Sequence, residues 1–151
     1  MVGRHDDINE LPIAEFAFPG PLRDQLVAAI LDGRKTSTTS LLVEYQVEDE
    51  PLPQPGQSSR VIDSQGVPVA IITVTSVSVG RLDEVSLDHV IDEGEGYFTR
   101  DQWRRAHEAY WHSREYREAL GDPEFVVSDD TLTVYERFRV IDRLSSSLPP
   151  E

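Results

Sequence analysis

The chain has 151 residues and a formal net charge of −14, from 14 basic and 28 acidic side chains. This length fits one domain with one core, and the negative charge argues against a broad grip on duplex DNA, whose non-specific binding depends on Lys and Arg. With no cysteine, the chain excludes disulfides and thiolate metal sites and favours a reducing compartment, the cytoplasm. No apolar run approaches the roughly 18 residues of a membrane span, and the first residues lack a signal-peptide core, so we expect a soluble protein without membrane contact.

The first half of the chain predicts one helix followed by three strands. Apolar residues recur at helical spacing over Leu22–Asp32, and Gly33 follows as a natural stop. The β-branched segment KTSTTSLLVEYQV (35–47) predicts a strand, and the acidic, proline-rich EDEPLPQPGQ (48–57) predicts a surface loop. RVIDSQGVPVAIITVTSVSVG (60–80) predicts two strands joined at DSQG, the second long enough to curve around a barrel.

The second half predicts two helical segments and a closing strand. LDEVSLDHVIDEG (82–94) predicts a short helix, and Thr99 can cap a longer one that ends at GDPEFVVSDD (121–130). The longer helix has an aromatic face made of Trp103, His107, Tyr110 and Trp111. In the strand TLTVYERFRVID (131–142), the side chains of Leu132, Val134, Glu136, Phe138 and Val140 share one face, and these are apolar except for Glu136. We expect a lead over residues 1–21, one domain over 22–143 and a disordered tail over 144–151.

The stretch LDGRKTSTTS contains Lys35, the single lysine of a chain with thirteen arginines, before five consecutive hydroxyl residues. An ammonium, unlike a guanidinium, can lose its proton when its surroundings favour the neutral form, so a lysine beside hydroxyls is a candidate chemical group. Composition alone favours the plainer interpretation of a surface lysine left by an arginine bias. In a regular strand, Lys35 would share a face with Ser37 and Thr39 but not with Thr38, so a Lys35–Thr38 pair needs a bend after Gly33.

A second candidate is the turn DEGEGY, in which Glu93 and Glu95 flank Gly94. A carboxylate there can relay a proton or hold a lysine in place, although such turns are commonly just solvated. The segment HEAYWH does not predict a metal site, because His107 and His112 are five residues apart and helical ligand pairs are four apart. No glycine-rich phosphate loop, nucleotide fingerprint or Gly-x-Ser-x-Gly elbow is present, which excludes the reaction classes that need them. We expect neither a metal nor a cofactor.

Several motifs occur together in an order that resembles the ASCH domain family, in its bacterial single-domain branch. They are ILDGRKTSTTSLLVEY, EPLPQPGQ, VIDSQGVPVAIITVTSVSV, LDEV, DEGEGYFTRDQWRRAHEAYW and VYERFRVID, between about Leu22 and Ile141. The resemblance implies an α+β fold with a PUA-like β-barrel of about five to six mixed or antiparallel strands, flanked by helices and carrying a cleft. It also implies association with RNA. Two activities are attributed to bacterial relatives, hydrolysis of the amide in N-acetylated cytidine and ribonuclease action.

The resemblance also assigns residues to a site. Lys35 and Thr38 match the family's Lys-x-x-Thr element, and Glu93 matches the acid of a Thr, Lys and Glu triad, with Glu95 as its competitor. The small amidohydrolases carry an arginine where this chain has Ser40, so Arg34 or Arg60 would have to replace it. Base stacking is expected from Tyr45, Tyr97 or Trp103, since aromatic faces bind any base. For Trp103, packing in the core is the stronger interpretation, and His107 is interpreted as structural.

The function expected from this resemblance is a cleft that binds a modified nucleoside or a short single-stranded RNA end and hydrolyses an acyl amide on it. A neutral Lys35 would take the proton of Thr38, Thr38 would attack the carbonyl carbon, and Glu93 would orient Lys35 and pass a proton to the departing amine. Two alternatives stay open. A ribonuclease could use Lys35 and Glu93 without a covalent threonine, and a binding module would use Lys35 only to contact a phosphate or carboxylate.

Overall fold

The computed structural model describes residues 10–144, which form a five-stranded sheet and five α-helices. The strands are β1 (Ile13–Ala14), β2 (Ser37–Leu41), β3 (Ser58–Ile62), β4 (Pro68–Arg81) and β5 (Leu132–Arg143). The helices are α1 (Pro21–Leu31), α2 (Leu42–Glu48), α3 (Leu87–Asp92), α4 (Arg100–Trp111) and α5 (Arg114–Leu120), and a 3₁₀ turn covers Leu82–Glu84. The predicted α+β class is confirmed, and the tail predicted from residue 144 lies almost entirely outside the described residues.

The strands follow the order β1-β3-β4-β5-β2, with β1 parallel to β3 and the other pairs antiparallel. The expectation of a closed barrel is wrong, since β1 and β2 are opposite edges of an open sheet. The reason is the length of the edge strands: β1 has two residues and β2 has five, and each pairs with one neighbour only. The long strands β4 and β5 form the centre of the sheet, and two register shifts interrupt their ladder.

Two predicted elements end earlier than the sequence pattern suggests. The strand predicted over residues 35–47 covers only β2, and the chain then forms α2, in which Val43 and Val47 have helical i, i+4 spacing. The Leu41 N–H donates to the Glu44 carboxylate and caps this helix. Similarly, the helix predicted from Thr99 to residue 120 divides into α4 and α5, because the Ser113 hydroxyl accepts from a backbone N–H and starts a new helix.

The hydrophobic core has two parts, which lie on opposite sides of β2. The first lies between α1 and the sheet and includes Phe16, Val27, Ile30, Val61 and Phe138. The second joins α3, α4 and α5 and includes Leu41, Leu82, Val90, Trp103, Trp111, Tyr116 and Leu120. Because α4 and α5 pack on this second part, the turn between α3 and α4 lies beside the edge of the sheet formed by β2.

Residues ahead of the predicted domain start at Leu22 also pack on the sheet. β1 pairs with β3, and the Phe16 ring contacts the Phe138 ring with 6.0 Å between centroids. The division into lead and domain stays a prediction. Among the described residues, none of the helices combines the length and the apolar character that crossing a membrane requires.

Candidate functional site

The ammonium of Lys35 is buried, with 2 % of the residue exposed, and oxygen atoms surround it. Its Nζ donates to the Ser37 carbonyl at 2.9 Å, to the Glu95 carboxylate at 2.9 Å and to the Glu93 carbonyl at 3.4 Å. An ammonium has three donors and no acceptor, and here each donor has an oxygen to bind. This arrangement is that of a protonated amine, because a neutral amine would direct a lone pair at an acceptor.

Lys35 reaches this position because the chain is still leaving α1 when it passes residue 35. Gly33 has a φ of 88°, which a glycine adopts without steric cost, and the Lys35 N–H donates to the Ala29 carbonyl. β2 begins only at Ser37, so the alternation of strand side chains does not apply to Lys35. The Nζ lies 5.9 Å from the centre of the Phe16 ring.

The Phe16 contact shows which face of the sheet the ammonium occupies. Phe16 packs against Phe138, and Phe138 shares a face of β5 with Glu136. Glu136 is the cross-strand partner of Thr38, and directly opposed residues of antiparallel strands have side chains on the same face. Lys35, Thr38 and Glu136 therefore face the same side of the sheet.

Glu93 is fully buried and holds three elements together. Its Oε2 accepts from the Thr39 hydroxyl of β2 at 2.6 Å and lies 3.2 Å from Nε2 of His89 on α3. Its Oε1 lies 3.1 Å from Nε2 of His107 on α4. The Glu93 carboxylate therefore fixes the α3–α4 turn against β2, and only its backbone carbonyl contacts the Lys35 ammonium.

The environment of this carboxylate determines its charge and that of His107. The Nδ1 of His107 lies 2.9 Å from the Trp103 carbonyl, so both ring nitrogens face oxygens and the ring binds best as an imidazolium. Burial alone would lower the pKa of His107, but the contact with Glu93 outweighs it and raises that pKa above 6.5. Burial alone would raise the pKa of Glu93, but His107 and His89 hold it well below its usual range.

The segment that leads into β2 and the turn between α3 and α4 touch directly at Gly94. This residue has a φ of 67°, and a Cβ atom there would collide with the backbone of Arg34 and Lys35. The Thr36 N–H adds a hydrogen bond to the Asp92 carbonyl at 2.8 Å. Glycine at this position is therefore a requirement for the close approach that brings Lys35 to Glu93 and Glu95.

The other predicted site residues divide into two groups. Thr38, Ser40, Tyr45, Glu95 and Tyr97 are half-buried; the Ser40 hydroxyl bonds the Tyr45 hydroxyl at 3.0 Å, while the Thr38 hydroxyl has no hydrogen bond among the described residues. The structure does not bring the remaining three to Lys35 as substrate contacts. Trp103 is fully buried in the second core, Arg34 is exposed and paired with Asp32, and Arg60 lies on β3, which β4 and β5 separate from β2.

One group of side chains has the geometry to hold a cation. Ligand atoms of Glu93, Glu95 and His107 lie within 4.8 Å of one another. The Lys35 ammonium already pairs with Glu95, and the His107 ring faces Glu93, so positive charge is present at both carboxylates. The arrangement fits two fixed ion pairs better than a metal ion.

A cleft of about 290 Å³ lies on the other face of the sheet. Its lining includes His89, Tyr135 and Arg137, and the His89 and Tyr135 rings meet edge to face with 4.9 Å between centroids. Arg137 pairs with Asp92 at 2.6 Å. The Glu93 carboxylate therefore lies between this cleft and the site around Lys35.

Sequence analysis did not assign Thr39, His89 or Glu136 to the site. Thr39 is one of five adjacent hydroxyl residues, and His89 is a lone histidine on a short helix, so neither carries a distinguishing signal. Glu136 does carry one, because it is the charged residue among the alternate positions Leu132, Val134, Phe138 and Val140 of its strand, which are otherwise apolar.

Gly94→Ala should lower the free energy of unfolding by about 2–4 kcal/mol, because a left-handed backbone and a clash with a neighbouring backbone act together. Gly96→Ala is the matched control: Gly96 also has a positive φ, of 90°, but a Cβ there meets no atom within 4 Å. It should cost about 1 kcal/mol. Urea unfolding of both variants measures the difference, and equal losses would contradict the close approach at Gly94.

His107→Gln should change how stability depends on pH. Because the folded pKa of His107 is raised, its contribution is complete below pH 6.5 and is lost as the pH rises through the folded pKa. Unfolding free energies measured between about pH 6 and 9 should therefore fall more steeply in the wild type than in the variant, since other groups titrate in both. Parallel profiles would show that His107 does not pair with Glu93.

Comparison with known proteins agrees with this architecture. A family model described as ASCH domain matches residues 15–142. The crystal structure of an ASCH domain from Lactobacillus crispatus JV V101 is 32% identical, with 92% of this chain and 86% of that chain covered and a TM-score of 0.71. That of an Enterococcus faecalis V583 protein, described by the family model DUF984, is 29% identical, with 95% and 86% covered and a TM-score of 0.78.

A search of curated proteins gives no significant match. The family match nevertheless spans most of the chain, and the Lactobacillus structure shares both sequence and fold with it. The PUA-like fold of this family is compatible with binding of RNA or a nucleoside. The chain therefore belongs to the ASCH domain family.

Proposed function

We propose that the protein binds a modified nucleoside, or the end of a short single-stranded RNA, beside Lys35 and hydrolyses an acyl amide on a cytidine-type base. The observation that carries this proposal is the buried Lys35 ammonium on the same face of the sheet as the unbonded Thr38 hydroxyl. A desolvated cation on the same face as a free hydroxyl suits attack on a carbonyl, because negative charge develops on the carbonyl oxygen as the bond forms.

Lys35 acts in this proposal as a cation. Its three oxygen contacts favour the protonated form, so we replace the role of proton acceptor, expected from the family resemblance, by stabilisation of the carbonyl oxygen. The contact with the Glu93 carbonyl, at 3.4 Å, is the longest of the three. A substrate oxygen can take over that donor at the smallest loss, since hydrogen bonds weaken with distance.

Thr38 is the proposed nucleophile. Its oxygen would form a bond to the acyl carbon, the bond between that carbon and the exocyclic nitrogen would break, and the amine would leave with one proton. Water would then hydrolyse the acyl-threonine ester, releasing the acid and restoring the hydroxyl. Glu93, which has no exposed surface, would position the α3–α4 turn without touching the substrate.

The surroundings favour a small ligand. Tyr45 and Tyr97 are half-buried aromatic residues that can stack a base, and Ser40 adds a hydroxyl next to Tyr45. The net charge of −14 disfavours a long nucleic acid, whose backbone would be repelled along most of its length. A nucleoside or a short single-stranded end avoids most of that repulsion.

Turnover of N4-acetylcytidine by the purified protein is the test. We expect Thr38→Ala to reduce kcat by at least about 100-fold and Thr38→Ser to retain part of the activity, because serine keeps the attacking oxygen. Thr75→Ala is the matched control, since Thr75 is an exposed threonine on β4, and it should leave the rate unchanged.

Two outcomes would overturn the proposal. Wild-type protein that binds N4-acetylcytidine without hydrolysing it would identify a binding module, and full activity in Thr38→Ala would exclude a covalent threonine. Incubation with short single-stranded RNA tests the third possibility, a ribonuclease. RNA cleavage by both the wild type and Thr38→Ala, with no deacylation by either, would identify a ribonuclease.

A further inference from the structure

Glu136 is the charged exception on the apolar face of β5, and it lies directly across from Thr38 in the strand ladder. We propose that Glu136 is the proton-transfer group of the site, taking the proton of the Thr38 hydroxyl and delivering it to the leaving amine. This inference rests on the proposed function and assigns the proton-transfer step, which a protonated Lys35 cannot perform as a base. Directly opposed residues of antiparallel strands have Cβ atoms about 4.5–5.5 Å apart, which places the two side chains within reach of each other.

The carboxyl group of Glu136 is half-buried and has no hydrogen bond or ion pair among the described residues. A carboxylate that loses solvent without gaining a partner costs free energy, and groups of this kind are typical of functional sites. An unpartnered carboxyl is also free to exchange a proton with a ligand, which a carboxylate held by fixed donors is not.

The other carboxylates near the site are already engaged. Glu93 is fully buried between Thr39 and two histidines, and Glu95 forms the ion pair with Lys35. Glu44 accepts from the Tyr116 hydroxyl at 2.7 Å and from the backbone N–H that caps α2 at 3.1 Å. Among the acids that surround Lys35 and Thr38 in the described structure, Glu136 is the one with no such partner.

Groups from each neighbouring element act on Glu136. Glu44 and Tyr45 face it from α2, and Lys35, with its partner Glu95, faces it from the segments beside β2. The adjacent strands contribute the uncharged Thr38 and Val77. Burial raises the pKa of Glu136 to about 7, with a further contribution from Glu44, while the Lys35 ammonium opposes the increase. The carboxyl group therefore populates both protonation states at neutral pH, which suits a group that accepts and then donates a proton.

Glu136 alone accounts for every proton transfer that the reaction needs. The Glu136 carboxylate accepts the Thr38 proton as the bond from oxygen to the acyl carbon forms, and the resulting acid protonates the nitrogen as the amide bond breaks. In the second half, the carboxylate accepts a proton from the attacking water and returns it to the threonine oxygen as the ester bond breaks. The sum is amide plus water giving acid plus amine, and Lys35 keeps its proton throughout.

Glu136→Gln tests the inference, because it preserves the shape of the side chain and removes its proton transfer. We expect kcat for N4-acetylcytidine to fall by at least about 100-fold, KM to change by less than about threefold, and the limb of the pH–rate profile near pH 7 to disappear. Glu124→Gln, at an exposed loop position, is the matched control and should behave as the wild type. Active wild-type protein whose rate and pH profile are unchanged by Glu136→Gln would overturn this inference and leave the proposed function standing.

A second measurement does not depend on turnover. NMR titration of ¹³C-labelled glutamate carboxyls in the wild type should show one group with a pKa near 7, absent from the spectrum of Glu136→Gln where that variant folds. Lys35→Met should raise this pKa, because the ammonium that opposes the increase is removed. A Glu136 pKa that does not respond to the loss of Lys35 would show that the two groups do not share a site, and the inference would fail. If the wild type deacylates no nucleoside, the proposed function fails, whatever the titration shows.

Discussion

The burial of one ammonium among three oxygens determines how the functional part of this molecule is assembled. A buried charge is stable only when it is paired and hydrogen-bonded. The oxygens that satisfy Lys35 come from Ser37 at the start of β2 and from Glu93 and Glu95 in the α3–α4 turn, so the two segments must meet. The close backbone contact at Gly94 also holds these two segments together, and so does the Glu93 carboxylate between β2, α3 and α4.

This arrangement separates two kinds of carboxylate. Glu93 and Glu95 each lie against a positive group, which stabilises the site, and the contacts of Glu93 with His107 and His89 hold its pKa well below its usual range. Glu136 lies on the same side of the sheet as Lys35 and Thr38 and has no such partner among the described residues, and desolvation raises its pKa there. Environments that push the pKa values of neighbouring acids apart are typical of sites in which one acid is structural and another transfers protons.

Much of the fold follows from local patterns in the sequence. Helical spacing and Gly33 predict α1, the DSQG turn predicts the pairing of β3 with β4, and Thr99 caps α4 as expected. The strand predicted to continue beyond Leu41 is wrong, because the i, i+4 spacing of Val43 and Val47 suits one face of a helix as well as one face of a strand, and the Glu44 cap decides between them. The closed barrel is also wrong, since the pairing of edge strands depends on distant segments that no local pattern reports.

The sequence predicts the site residues whose type is unusual in this chain. It does not predict the residues that only their packing in the fold distinguishes from their neighbours. The lone Lys35 and the Glu-Gly-Glu turn carry such signals, whereas the partners Thr39, His89 and His107 become evident only when three elements converge on Glu93. A charged residue on an apolar strand face, Glu136, was a visible signal without an assigned role. Its meaning depends on the register that places it opposite Thr38.

Because the chain has a single lysine, that residue is its own spectroscopic probe. Protein labelled with ¹⁵N at the lysine side chain should give one Nζ resonance, and burial with three acceptors should make its protons exchange slowly. The account predicts an ammonium signal that shifts on titration with N4-acetylcytidine and shifts less with unmodified cytidine. A neutral amine signal, or an ammonium signal that neither nucleoside changes, would contradict the claim that a protonated Lys35 binds the acyl group.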